Sequence, residues 1–244
     1  MMGIDVTRVR AVVRKELRDY RRKRSIVVAM IILPALFLIQ PTLTIFLAPP
    51  APPGSTYYDL PLLLLLLIPV ITPSTLAAYS VVGEREQGTL EPLLTTPIRR
   101  QEFILGKAAA VMIPTLALSY TVFGLFLAVV WLFANPAVSS DVFHQGPILL
   151  ALVLFTPLLA GWAIVVGMAV SVRASEIRVA QQLGMVASFP PLTVVVLMGI
   201  GVIQPTITVA GVVALVLLGV DLRALRFVAR MFDPERLITG SKAG

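Results

Sequence analysis

Six stretches of this chain are apolar for long enough to cross the roughly 30 Å hydrocarbon core of a bilayer, which takes about 20 residues of helix. They run over residues 26–48, 60–82, 108–133, 147–172, 183–203 and 205–220. The last two are parted only by Gln204-Pro205, so they form either a tight helical hairpin or one span plus a re-entrant piece. The sixth is short, although its helix has room to continue through residues 221–232. A soluble domain carries about 25% charged residues. Here the figure is 14%, against 57% hydrophobic, so the composition points to a membrane protein.

The charges fall on one set of connections. Residues 1–25 hold nine Lys or Arg, residues 83–107 hold Arg85, Arg99, Arg100 and Lys107, and Arg173 and Arg178 lie between the fourth and fifth spans. The tail holds Arg223, Arg226, Arg230, Arg236 and Lys242, which completes the set of 20. The alternate connections, 49–59, 134–146 and 204–205, hold no Lys or Arg at all. Six spans with both termini on one side produce this partition, and the positive-inside rule makes that side cytoplasmic. An odd number of spans would break it. The net charge of +7 is therefore an orientation signal that also suits anionic lipid headgroups, and no nucleic-acid partner is expected.

The basic start followed by an apolar run resembles a signal peptide. The run is too long, however, and Pro49-Pro50 follows Ala48 where cleavage would fall, so it reads as a retained first span. The expected fold is an all-α membrane protein in one transmembrane domain over 1–244. A cytoplasmic amphipathic helix occupies 1–25, six spans lie within 26–220, a cytoplasmic loop covers 83–107 and a tail covers 221–244.

Several chemistries are missing. No cysteine is present, and the single histidine, His144, reads as a polar loop residue near a membrane surface. There is no HExxH and no GxSxG. No ionisable residue lies clearly inside a span, Asp59 and Asp221 sitting at the edges, which argues against an ion-coupled carrier. Gly83 and Gly88 have the spacing of glycines in a phosphate-binding loop, but Thr89 stands where that loop has its lysine. ATP binding by that route is excluded.

Prolines recur within the spans (Pro34, Pro41, Pro69, Pro73, Pro114, Pro157, Pro190 and Pro191), and each removes a backbone donor and favours a kink. Small residues at four-residue spacing, Ala163, Gly167 and Ser171 and also Gly124 and Ala128, permit close helix packing.

The loop after span two has its own architecture. The second span runs out through Gly83-Glu84-Arg85-Glu86-Gln87 and can end at Gly88, a natural helix terminator. Thr89 can cap a short helix with Glu91 in its first turn, and Leu90, Leu93 and Leu94 then share one face. Thr96-Pro97 closes that helix and starts the next, which carries Arg99, Arg100, Glu102 and Lys107 toward the third span. A leucine face ringed by charge suits either a lipid surface or a groove of a soluble partner, and composition does not choose between them.

These residues resemble the first cytoplasmic loop of type-2 ABC transporter permeases, the six-span exporter subunits. The matching series is Glu84-Arg85-Glu86, Gly88-Thr89-Leu90-Glu91, Leu93-Leu94, Thr96-Pro97 and Gly106-Lys107. The first helix and span, the segment SVRASEIRVAQQLG and the tail ARMFDPERLIT are similar to their counterparts in that family. The resemblance implies a coupling helix at about 89–95 seated in a separate ATPase subunit, with Glu84, Glu86, Gly88, Thr89, Leu90, Glu91, Leu93, Leu94, Thr96 and Pro97 forming the coupling site. It also implies two ABC ATPase subunits and a second permease subunit, as homodimer or heterodimer, in the cell inner (plasma) membrane. No cofactor is expected on this chain, ATP-Mg belonging to the partner ATPase. The N-terminal helix, with Val9, Val12, Val13, Leu17 and Tyr20 on one side, is expected along the inner surface near that ATPase. Glu84 and Glu86 are candidates to pair with its Lys and Arg residues. An ATP-independent channel or carrier, or a membrane scaffold, is the alternative.

Overall fold

In the computed structural model, residues 5–47, 57–79, 82–86, 98–203 and 206–231 are described. Among them every regular element is helical. Helix α1 is Val6–Arg22, α2 is Arg24–Leu47, α3 is Asp59–Leu64, α4 is Leu67–Ala78 and α5 is Val82–Glu86. After these come α6 at Arg100–Phe133, α7 at Pro136–His144, α8 at Gly146–Arg173, α9 at Ile177–Gly199 and α10 at Ile207–Met231.

Six segments are long and apolar enough to span a membrane: Ile26–Leu47, Asp59–Glu84, Arg100–Phe133, Gly146–Arg173, Ile177–Met198 and Ile207–Ala229. They reproduce the six stretches expected from sequence. The fifth and sixth are two separate spanning-length helices, the hairpin alternative, with Gly201 at φ +75 in the turn that follows α9. A non-glycine residue would be strained in that left-handed conformation.

Span four, α8, is the hub, packing against α4, α6, α9 and α10. Its small-residue stripe explains how closely it does so. A Cβ added to Gly167 would stand 2.7 Å from the Ala77 Cβ of α4, and Ala163 and Ser171 are fully buried on the same face. Ser171 also accepts a hydrogen bond from the Val82 amide at 3.1 Å. The Gly124 and Ala128 pair plays no such part, since both are exposed and nothing stands within 4 Å of a Cβ at Gly124.

Span two is interrupted where α3 gives way to α4. Pro69 has no amide hydrogen to donate to Leu65, and its ring crowds that carbonyl. The backbone answers with three-residue hydrogen bonds, Leu65 to Leu62, Leu66 to Leu63 and Ile68 to Leu65, at 3.0–3.1 Å. The other span prolines, Pro34, Pro41, Pro73, Pro114, Pro157, Pro190 and Pro191, are carried inside helices.

Two sequence expectations change, and an open one is decided. Residues 134–146 contain a short helix, α7, capped by the Asn135 side chain accepting from the Ala137 amide. His144 ends that helix, its Nδ1 2.6 Å from the Ser140 carbonyl oxygen. The long third helix starts at Arg100 rather than Pro97, because the Glu102 carboxylate folds back to accept from the Arg99 amide at 3.1 Å while Arg99 itself is extended. The sixth helix takes the continuation open to it through 221–232 and runs to Met231, so Asp221 belongs to it. Ala224, Leu225 and Val228 continue an inward apolar stripe beyond Val220, and this keeps the chain helical.

Among the described residues two large apolar cores result, beside a small cluster of Val82, Ala174 and Ala180. One joins α3, α4, α6, α8 and α9 through Leu62, Ile68, Phe126, Phe155 and Val195. The second joins α1 to the start of α6 and the last turns of α10 through Val12, Phe103, Ile104 and Val228. The first helix of the chain and the last therefore meet at the same end of the bundle.

Candidate functional site

At that end a strongly amphipathic helix meets three other helix termini. α1 opens on Asp5, whose carboxylate accepts from the Thr7 amide at 2.9 Å. Its inward face is Val12, Glu16 and Tyr20, spaced four residues apart and all buried. Val12 lies against Gly106 of α6, and a Cβ at Gly106 would be 2.7 Å from the Val12 Cβ and 3.3 Å from the Val9 carbonyl oxygen. Glycine at this position is what lets the two helices approach so closely.

One residue further on, Lys107 is fully buried. Its Nζ lies 3.1 Å from Oε1 of Glu16 on α1 and 3.1 Å from Oε1 of Glu84 on α5. Lys15 joins from the rim, 2.7 Å from the same Glu84 oxygen and 3.1 Å from Glu16 Oε1. Two ammoniums and two carboxylates thus alternate in a neutral knot that ties α1, the end of span two and the start of span three. Phe103 adds its ring face 4.9 Å from the Lys107 Nζ. Around the edge, Lys23 lies 5.9 Å above the Tyr79 ring.

A second anchor stands one turn earlier on α6. Glu102 is fully buried, and besides the Arg99 amide it accepts from the Asp5 amide at 3.0 Å, with Arg8 Nη1 3.6 Å away. One carboxylate therefore holds the beginnings of both α1 and α6.

Burial alone would raise the Glu16 carboxyl, but the Lys107 and Lys15 ammoniums beside it outweigh that and hold it below the ordinary 4.5. Burial of Lys15 opposes its charged form, yet Glu84 and Glu16 together raise its pKa above the ordinary lysine value. Burial, and then the neighbouring Glu16 and Glu84 charges, push the Tyr20 hydroxyl well above its ordinary value. At neutral pH Glu16 and Lys15 are therefore charged and the Tyr20 phenol is neutral.

Of the coupling residues expected from sequence, Glu84 sits in this knot, paired with Lys15 as well as Lys107. Glu86 belongs to α5, and its side chain lies outside the described residues. Gly88, Thr89, Leu90, Glu91, Leu93, Leu94, Thr96 and Pro97 also lie outside them. Sequence reasoning expected Glu84 to pair with the Lys and Arg residues of this helix, as it does with Lys15, but missed Glu16 and Glu102 as partners and treated Lys107 only as part of a motif. One signal was available, because Glu16 interrupts the apolar face of an otherwise basic helix. Among the described residues no group of three or more His, Cys, Asp or Glu side chains is arranged to hold a metal ion.

Six apolar spans define a multi-pass membrane protein. The sequence profile of the ABC-2 family transporter proteins matches residues 13–191, most of the chain, and the chain belongs to that family. It is a permease subunit of an ABC transporter, a membrane transport subunit and not itself the catalytic one. Membership implies association with an ABC ATPase and with the lipid bilayer. No curated protein matches the chain by sequence.

Proposed function

We propose that this chain is the transmembrane subunit of an ATP-driven exporter. In this reading two permease subunits, alike or different, sit on two copies of a separate ABC ATPase in the cell inner (plasma) membrane. ATP-Mg is held by the ATPase, and this chain carries no cofactor. Both termini face the cytoplasm, a reading supported by the one-sided distribution of Lys and Arg.

The observation that carries the reading is the ionic knot. Segment 87–97 connects α5 to the approach to α6, and Glu84 and Lys107, on either side of that segment, are joined to each other and to Glu16 on α1. A push on the segment is therefore delivered to span two, span three and α1 as one unit. α6 is suited to carry it, since its 34 residues form one helix about 51 Å long. In the proposed cycle, Leu90, Leu93 and Leu94 of a coupling helix at 89–95 seat in a cleft of the ATPase. Thr89 and Glu91 start that helix, and Gly88, Thr96 and Pro97 bound it. Closure of the ATPase pair on ATP then tilts spans two and three.

The cargo is apolar or amphipathic and enters from the inner leaflet. Polar side chains within the spans are few, and several are consumed by packing. Trp162 Nε1 donates to the Ala187 carbonyl at 3.1 Å, and the Ser74 and Ser188 hydroxyls lie 3.1 Å apart.

Leu93→Asp tests the reading in the reconstituted transporter. ATP hydrolysis by the ATPase should lose its dependence on the permease, while the permease keeps its fold. Unchanged coupling in that variant would count against the coupling helix.

A further inference from the structure

Asp221 differs from every other buried charge described above. It is 9% exposed and lies within the sixth span, yet among the described residues no ion pair or hydrogen bond engages it, and its Oδ1 is buried without a partner. The nearby arginines of the same helix, Arg223 and Arg226, are exposed on other faces. Asp221 heads the inward stripe that continues through Ala224, Leu225 and Val228.

The carboxylate is aimed at span four where that span has no side chain. A Cβ at Gly161 would be 2.8 Å from Asp221 Oδ2 and 3.8 Å from the Met112 Cε of span three. Spans four and six thus meet at this carboxylate, with Met112 of span three on the same side of Gly161, and the outward residues Leu218, Leu222 and Phe227 of α10 are exposed. By helix position Asp221 lies 14 residues from the start of α10 and 10 from its end, well inside the apolar span. Carboxylates at such depth are rare, because hydrocarbon opposes their charge, and where they occur they engage a partner of opposite charge. The described part of the chain supplies none.

We propose that Asp221 is a recognition residue for cargo carrying a positively charged amine on an apolar body. The inference rests on the transport reading above and narrows its cargo class from amphipathic to cationic amphipathic. The ammonium pairs with Asp221, Gly161 places no side chain over the carboxylate, and the apolar tail lies against the exposed surface of span six.

The test uses the full-length permease in lipid nanodiscs, without any ATPase, so that its outcome is separate from that of the coupling experiment. Saturable binding of a fluorescent alkylammonium and of its uncharged alcohol counterpart is measured, with protein-free nanodiscs as the background. The parent should bind the ammonium more tightly than the alcohol. Asp221→Asn, which keeps shape and removes charge, should weaken ammonium binding by on the order of tenfold to a hundredfold and leave alcohol binding unchanged. Gly161→Ala, which crowds the carboxylate, should weaken it in the same sense by a smaller factor. Elution as a single species with a cooperative melting transition shows that each variant is folded. Equal ammonium affinity in parent and Asp221→Asn, or no preference of the parent for the ammonium, would overturn the proposal.

Discussion

Lys107 and Asp221 are both buried ionisable side chains on spanning helices, and they are treated in opposite ways. Lys107 is surrounded by two carboxylates from two other helices. Asp221 meets a bare glycine and no charge. A buried ion with partners fixes the relative positions of the helices that supply them, whereas one without partners adds nothing to the fold. The base of the bundle is thus built to stay together, whereas the carboxyl of Asp221 contributes no such tie.

The largest effect is expected from Lys107→Met. Losing the central ammonium leaves Glu16 and Glu84 facing each other in a buried site, and breaking a buried pair in this way costs about 3–5 kcal/mol. Denaturation in mild detergent should show the loss. Adding Glu16→Gln and Glu84→Gln to the same chain should recover most of it, because no uncompensated charge then remains. A single variant as stable as its parent would mean that the knot does not hold the base.

Gly106→Ala should come next. Its methyl group would be driven into Val12, and overpacking of this kind costs about 1–3 kcal/mol. Because the strain falls on the contact between α1 and α6, faster proteolysis at the arginines of α1 should accompany it. Slower or equal cleavage would contradict the close approach.

A smaller effect follows from Glu16. Its pKa is lowered in the folded state, so its contribution to stability is present above the ordinary 4.5 and is lost as pH falls through the lower folded value. The melting temperature of the parent should therefore stay flat from about pH 6 down to the ordinary carboxylate range and drop below it. In the Lys107→Met, Glu16→Gln, Glu84→Gln chain that drop should be reduced. The smallest effect on stability belongs to Asp221→Asn. Replacing an unpaired buried carboxyl strands no partner, so stability should be unchanged or slightly higher. A marked loss would reveal a structural partner for Asp221 and dissolve the contrast with Lys107.

The sequence showed the parts governed by local pattern. Window length and apolarity located six spans, and the spacing of Val12, Val13, Leu17 and Tyr20 identified an amphipathic helix. The knot was hidden because it is a tertiary product. Glu16 and Lys107 are 91 residues apart, and nothing local says that α1 folds back onto the first turns of α6. The interruption of span two was latent in Pro69, but several span prolines look alike in sequence and only this one falls where the helix breaks. Asp221 was set at a span edge because the apolar run stops at Val220, whereas the helix continues on a stripe of Ala224, Leu225 and Val228 that shows only once its packing surface exists.

The central claim is that the base of this permease receives force from a separate ATPase through segment 87–97. Affinity purification of the full-length chain from its native membrane in mild detergent tests this most directly, comparing the parent with Leu93→Asp. The account predicts that an ABC ATPase accompanies the parent and is lost from the variant, while both chains remain folded. Recovery of the parent without any ABC ATPase, or equal recovery of the ATPase with both chains, would contradict it.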